Sequence, residues 1–384
     1  MRKIAIGGAV FSENWKGGEP RVAWRVYNYL RNKYECCIVP PIGMGLLRTY
    51  FRLLFSDSFL PIELYYMQYI KAFKPDVLLV FYDYDESLPL AAIKQHIPIV
   101  ITQHIYWGIC PKGSFYNSLY HNTCAEIPSG QRNCKQYFNA SNKLAKIIPS
   151  FLWENIVNRR YELLRKAEKI IVPSSYMLSI YQRVLPEISR KLVVIHTGVD
   201  IRKFKPPHYI ETGKEKRILF VGGRSIVKGF HHFLGIARLL KIKYPEAEFL
   251  VSGFGAGFNS KYVKNLGYLS EDELVRTYQN SLVVVAPYIW DDPCPQVPLE
   301  AMACGTPVIA YSVGGINEMI INQKTGYLVR RGDFKGLLEK VDFLLKNPDI
   351  ALQMGKEARR YIENNFDARQ MVRQYEDVLK SVTS

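Results

Sequence analysis

No apolar run in the 384 residues is long enough to cross a bilayer, so a helical membrane protein is not expected. The opening "MRKIAIGGAVF" has the basic-then-apolar order of a leader. Its apolar stretch is short, however, and runs into "SENWKGGEPR" instead of a small-residue cleavage site. It is expected to be a first β-strand, and the protein to stay inside the cell. Cysteine is sparse and odd in number, at seven, which does not favour a disulfide framework. Cys36, Cys37, Cys294 and Cys304 stand in apolar settings that suit buried free thiols. A P-loop is missing, and the glycines at 253, 255 and 257 lack the G-x-G-x-x-G spacing, so neither a Walker nucleotide site nor a dinucleotide site is expected. Acids are outnumbered: 35 Asp plus Glu face 51 Lys plus Arg, for a formal charge of +16. No nucleic-acid module accompanies that charge, which ranks nucleic acid last among anionic partners.

What remains is the composition of a folded soluble chain, 48% hydrophobic and 22% charged, at a length that suits two domains. The basic excess is uneven. Residues 1–200 hold 25 cationic against 15 acidic side chains, and residues 201–384 hold 26 against 20. A basic first half points to an anionic membrane surface or a phosphorylated substrate.

Short runs of β-branched residues alternate with amphipathic segments. In the first half the strands are "KIAIGGAVF", "CCIVPP", "PDVLLVFYDY", "IPIVITQH", "KIIVPS" and "KLVVIHTGV", with helices "RVAWRVYNYLRNK" and "NIVNRRYELLRKA". The pattern restarts with "RILFVGG", "GFHHFLGIARLLKIKY", "EFLVSGFG", "KNLGYL", "SEDELVRTYQN", "SLVVVAPY" and "PVIAYSVGG". This alternation predicts an α/β fold of two Rossmann-like domains with parallel sheets, facing across a cleft. The polar segment 200–216 reads as the linker. In such sheets ligands bind at the carboxyl ends of the strands, which directs attention to the loops there.

Three loops carry candidate chemistry. Gly17-Gly18, entering the first helix, let backbone approach an anion, although a simple tight turn explains them equally well. After "ILFV", Gly222-Gly223 precede Arg224 and Lys228, two cations beside a helix start that suit a diphosphate clamp. In "WDDPCPQVPLEAMACGTPVIA", the crowded prolines predict a stiff extended loop over 293–298. Glu300 then falls in the first turn of a helix ended by Gly305. Asp292 and Glu300 read locally as acids favoured by a helix N-terminus. Beside a phosphate clamp they read as acceptors for vicinal sugar hydroxyls. Together these features describe a nucleotide-sugar site.

The chain resembles the family 4 retaining glycosyltransferases of the GT-B fold. The resemblance is carried by "VIHTGVDIRKFKP", "ILFVGGRSIVKGF", "LGYLSEDELVRTYQNSLVVVAPY", "DPCPQVPLEAMACGTPVIAYSVGGINEMI" and "TGYLV", and more loosely by "KGGEPRVAWRVYNYL" and "VITQHIYW". It implies an acceptor domain over 1–200, a donor domain over 201–366, and a C-terminal helix over 367–384 packing back on the first domain. It also implies transfer of a hexose from a UDP- or GDP-sugar to a glycan or lipid-linked acceptor hydroxyl, with configuration kept and neither metal nor cofactor. Glu300 resembles the second acid of the family's E-x7-E motif, on the donor ribose, and Asp292 the first, on the donor sugar. Lys228 matches the diphosphate lysine, His104 the histidine near sugar and acceptor, and Gly17-Gly18 the glycine loop. Cys294, Gln296 and Val297 fall in the donor-binding loop. Three departures follow. Asp292 is shorter than glutamate by roughly an ångström or more of reach. Pro295 replaces a glycine and its amide. Arg224 stands one position after the family arginine and must reach in from there.

On the acceptor side, "GMGLLRTYFRLLF" (43–55) places Arg48 and Arg52 on one edge of an apolar helix. A buried helix accounts for it, as does a segment lying on an anionic inner membrane face. "DYD" at 83–85 resembles the D-x-D of metal-dependent GT-A enzymes but sits in the wrong context. Cys110, Cys124 and Cys134 fall where some relatives carry a fourth cysteine, here Tyr137. With His121 as the only substitute, no zinc site is expected. The alternatives from another class are a nucleotide-sugar epimerase or hydrolase, and a non-catalytic sugar-binding descendant.

Overall fold

The computed structural model describes residues 3–7, 18–39, 60–81, 86–110, 116–117, 122–123, 150–207, 216–255 and 258–383. The stretches 43–55 and 83–85, together with Gly17, His121, Cys124, Cys134 and Tyr137, lie outside the described residues. The chain divides into two units, one of Met1–His196 with Met371–Ser384, the other of Thr197–Gln370.

The first unit runs β1 (Lys3–Gly7), α1 (Gly18–Leu30), β2 (Glu35–Val39), α2 (Leu60–Phe73), β3 (Val77–Phe81), α3 (Ser87–Lys94), β4 (Ile99–Thr102), α4 (Ser150–Lys166), β5 (Lys169–Val172), α5 (Ser175–Val184) and β6 (Leu192–Val194). These six strands pair in parallel in the order β2-β1-β3-β4-β5-β6. Strand β3, "VLLVF", is buried at every position, as a strand covered on both faces must be. Helices α2 to α5 cover one face through Tyr66, Ile70, Leu88, Leu164 and Tyr181. The other face takes Val22, Val26 and Leu30 of α1.

In the second unit follow β7 (Arg217–Val221), α6 (Phe230–Lys243), β8 (Glu248–Ser252), β9 (Lys264–Asn265), α7 (Glu271–Gln279), β10 (Val283–Ala286), α8 (Gln296–Ala303), β11 (Val308–Tyr311), α9 (Ile316–Met319), β12 (Gly326–Val329), α10 (Phe334–Lys346) and α11 (Pro348–Asn365). All strands are parallel, in the order β9-β8-β7-β10-β11-β12. Numbered within the unit this is 3-2-1-4-5-6, the doubly wound order, with its reversal between β7 and β10. Side-chain caps fix several helix starts: Ser270 and Glu273 form a reciprocal capping box on α7, and Asp333 accepts from the Gly336 amide on α10.

The last helix, α12 (Ala368–Val382), returns to the first unit from Met371 onward. Its Met371, Val372, Tyr375 and Leu379 complete the core on the α1 face. Glu376 anchors it there, accepting from Tyr29 Oη at 2.7 Å, Lys33 Nζ at 2.8 Å and Tyr34 Oη at 2.8 Å, with Lys380 Nζ at 2.9 Å.

Two local expectations are corrected. The start of segment 200–216 is not a free linker. Phe204 is fully buried, and Arg359 donates to the carbonyls of Ile201, Phe204 and Ala303. Helix α8 begins at Gln296, so it includes Pro298, and Glu300 falls in its second turn. Proline is admissible there because the N–H it lacks would have had no intrahelical partner in the first turn.

Candidate functional site

The reversal of strand order in the second unit brings two loops to the carboxyl ends of β7 and β10. They are tied together. The Ile289 amide donates to the Val227 carbonyl at 2.9 Å. Gly229, at φ +76, packs so tightly that a Cβ there would lie 1.8 Å from the Pro287 carbonyl oxygen. Only glycine fits, because both the left-handed backbone and the close approach exclude a side chain. Lys228 is thereby held between the loops, its aliphatic chain lying across Gly222.

Lys228 faces Asp292 closely enough to act on its ionisation. Burial pushes the Asp292 carboxyl up to about 6, while the Lys228 ammonium and the Cys294 amide pull it down. That amide donates to Asp292 Oδ1 at 3.1 Å. Asp292 is thus half-buried, with the Lys228 charge favouring its ionised form against burial.

The loop bearing Asp292 is clamped from behind by its neighbour. Asp291 is buried, and its Oδ1 accepts from both the Arg331 guanidinium and the Gly314 amide, the latter at 3.0 Å. The Gly315 amide then donates to the Asp292 carbonyl at 2.9 Å. The adjacent acids thus divide the work: Asp291 fixes the loop internally, while the Asp292 carboxylate takes the Cys294 amide and feels the Lys228 charge. Sequence reading singled out only Asp292. The doubled acid and the glycine pair of "SVGG" were the available signals for Asp291 and Gly314, whereas nothing local pointed to Arg331.

Glu300 is buried on α8, and the Tyr278 hydroxyl of α7 donates to its Oε2 at 3.1 Å. Tyr288 is also buried. Burial first, then the charges of Asp292 and Glu300, raise its hydroxyl pKa far above the ordinary tyrosine value, so Tyr288 lies in the field of both acids. At the head of α8, Pro295 offers no side-chain cap to the first-turn amides of Gln296 and Val297. The Gln296 side-chain nitrogen is buried without a hydrogen-bond partner. Burial pushes the Cys294 thiol up to about 12, which makes it an inert neutral group. Tyr278 was missed in the sequence, where it is one aromatic residue in the polar segment "SEDELVRTYQN".

The remaining candidates are Arg224 in the second unit and Gly18 and His104 in the first. Arg224 is exposed, its guanidinium 4.9 Å from the Phe258 ring centroid, and Phe258 packs with Phe230 and Phe254. In the first unit Gly18 opens α1. His104 follows β4, half-buried, with burial pushing its imidazole down to about 4, so it is neutral at physiological pH. Cys110 is buried. Among the described residues no group of three or more His, Cys, Asp or Glu side chains is placed to hold a metal ion, and no helix is long and apolar enough to cross a membrane.

This geometry can grip a phosphate-bearing, polyhydroxylated ligand, with a cation and helix-end amides for the one part and carboxylates for the other. Residues 17–203 match the family model described as Glycosyltransferase Family 4, and residues 202–361 match Glycosyl transferases group 1. Spore coat protein SA of Bacillus subtilis (strain 168) is 28% identical over 251 residues, covering 56% of this chain and 66% of that protein. The chain spans about half to two thirds of the length of such curated relatives. Sucrose-phosphate synthase from Thermosynechococcus elongatus superposes with a TM-score of 0.71 at 17% identity, over 100% of this chain and 99% of that one. Anabaena HepE, solved with UDP-glucose, gives 0.68 at 15% identity, over 99% and 100%. Identities this low establish a shared fold.

Proposed function

The chain belongs to the family 4 glycosyltransferases of the GT-B fold, and on that footing we propose that it transfers a hexose from a nucleotide-diphosphate sugar to an acceptor hydroxyl, keeping the anomeric configuration. The observation that carries this proposal is the tying of the Lys228 loop to the loop that leads to Asp292, through the Ile289 amide on the Val227 carbonyl at the strand-order reversal, with Glu300 held on the adjoining helix.

Each residue then has a role that its surroundings support. Lys228 and the first-turn amides of α8 hold the diphosphate and stabilise the charge that grows on it as the glycosidic bond breaks. Glu300, preset by Tyr278, accepts hydrogen bonds from the ribose hydroxyls. Asp292 accepts from the sugar itself, and its shorter reach favours a modified grip on that sugar. His104, neutral and buried at its Nε2 atom, is assigned to the sugar and acceptor side. The departing diphosphate takes the acceptor proton on the same face, so no carboxylate has to act as nucleophile. No metal ion enters this scheme. Arg224, resting on Phe258, adds to the clamp by swinging from that ring.

HepE has been solved with UDP-glucose, which makes UDP-sugars the first donor class to examine. The basic first half supports a glycan acceptor carried on lipid, with the enzyme on an anionic inner membrane face. Sedimentation with anionic vesicles at low salt tests that part, and failure to co-sediment counts against it. The main test assays UDP-glucose, UDP-N-acetylglucosamine and GDP-mannose for release of nucleoside diphosphate with and without acceptor, and reads the product's anomeric configuration by NMR. Acceptor-dependent release with retained configuration supports the proposal. Acceptor-independent release identifies a hydrolase, and binding without release identifies a sugar-binding protein.

A further inference from the structure

His104 poses a problem of orientation. Its Nε2 is buried without a hydrogen-bond partner, so no hydrogen bond at that nitrogen fixes the imidazole plane. An imidazole that meets a substrate must be aimed to within a few tenths of an ångström, and a packed ring can do this in place of a hydrogen bond.

The first unit supplies such packing. Phe81 ends β3 and Thr102 ends β4, and the two are register partners on adjacent parallel strands. His104 follows two residues later, and its ring lies over that of Phe81, with centroids 6.2 Å apart and planes 10° from parallel. The second ring stacked with Phe81 is Tyr375 of α12, at 5.7 Å and 20°. Phe81 and Tyr375 are both fully buried. Three near-parallel rings therefore link the C-terminal helix to His104, at centroid spacings that aromatic pairs commonly adopt. The helix end of this stack cannot slide, because the next residue, Glu376, is held by Tyr29, Lys33, Tyr34 and Lys380.

We propose that Tyr375 and Phe81 are positioning residues that set the plane of the His104 ring, which makes the C-terminal helix a working part of the candidate site. The proposal rests on the assignment of His104 to the sugar and acceptor side. It also gives a physical reason for α12 to pack on the first unit: the helix supplies the ring stacked with Phe81.

The test uses the full chain labelled at histidine, with the His104 ring signals assigned by loss in His104→Gln. Tyr375→Leu is expected to move those signals beyond their linewidth. It should also lower kcat roughly tenfold while the donor KM stays within about twofold, as a misaimed group does. Tyr375→Phe keeps the ring and is expected to restore both. Should Tyr375→Leu fail to fold, Tyr375→Met keeps much of the volume without a planar ring and carries the same readouts. Unmoved His104 signals in the Leu or Met variant overturn the proposal, as does an equal loss in Tyr375→Phe, which would assign the effect to the hydroxyl. His104→Ala separates the two layers. Full turnover in that variant removes His104 from the site, and the positioning role with it. An inactive His104→Ala alongside unmoved ring signals leaves the site assignment standing and overturns the stack alone.

Discussion

The Tyr278 hydroxyl donates to Glu300 Oε2 at 3.1 Å, and both side chains are buried. A buried carboxylate without donors is expensive, so this bond helps Glu300 stay where α8 puts it. Replacing Tyr278 by Phe keeps the ring and removes the donor. A loss of about 1–3 kcal/mol in stability is expected, with a roughly tenfold rise in donor KM. Thermal denaturation and donor titration check the two parts. A variant unchanged in both would show that the bond is incidental.

Asp292 gives a pH dependence of definite sign. Burial lifts its carboxyl from 3.8 to about 6 in the folded chain. The folded state therefore favours the protonated form. That advantage is fully present below pH 4 and is lost as pH rises through about 6, leaving a charged group at a cost above it. Asp292→Asn is expected to be more stable than the parent at pH 8 by about 1–3 kcal/mol, with the difference vanishing at pH 4. Turnover by the parent should fall as pH drops through about 6, as the carboxylate proposed to grip the sugar is protonated. Melting curves at the two pH values and a turnover profile check both halves.

Gly314 tests the clamp behind that loop. It sits at φ +49, and a Cβ there would lie 2.3 Å from the Asp292 carbonyl oxygen. Gly314→Ala must displace backbone, not a flexible side-chain end. The expected result is a stability loss of about 1–3 kcal/mol with donor binding weakened more than the fold. Comparing calorimetric donor affinity with melting temperature separates the two.

Glu376 gives the opposite sign of pH dependence. Burial pushes its carboxyl up, but hydrogen bonds from Lys33, Lys380, Tyr29 and Tyr34 outweigh burial and hold it near 2, against 4.5 ordinarily. Its contribution is present above pH 4.5 and is lost as pH falls toward 2. The lysines are exposed, so Glu376→Gln is expected to cost only about 1–2 kcal/mol at pH 7. The parent and variant melting temperatures should converge near pH 2.

Much of this was readable in the sequence because the signals are local. β-Branched runs marked the central strands, the segment "SEDELVRTYQN" marked α7, and the spacing of Asp292 and Glu300 survives as two acids flanking one loop and helix head. What the sequence hid depends on contacts distant in the chain. Asp291 gains its role from Arg331, forty residues on. Tyr278 gains its role from the packing of α7 on α8. Arg224 was expected to reach toward the diphosphate, and the structure rests it on Phe258. The start of α8 was misplaced because three prolines were read as one loop, although the last needs no donor in a first helical turn.

The central claim is that Glu300 holds the donor of a transfer reaction. Its most direct measurement is the turnover of Glu300→Ala, with the donor that the parent uses, in a variant whose circular dichroism and melting show an intact fold. The expected result is loss of transfer by at least about a hundredfold with the fold retained. Turnover near the parent level in that variant would contradict the account.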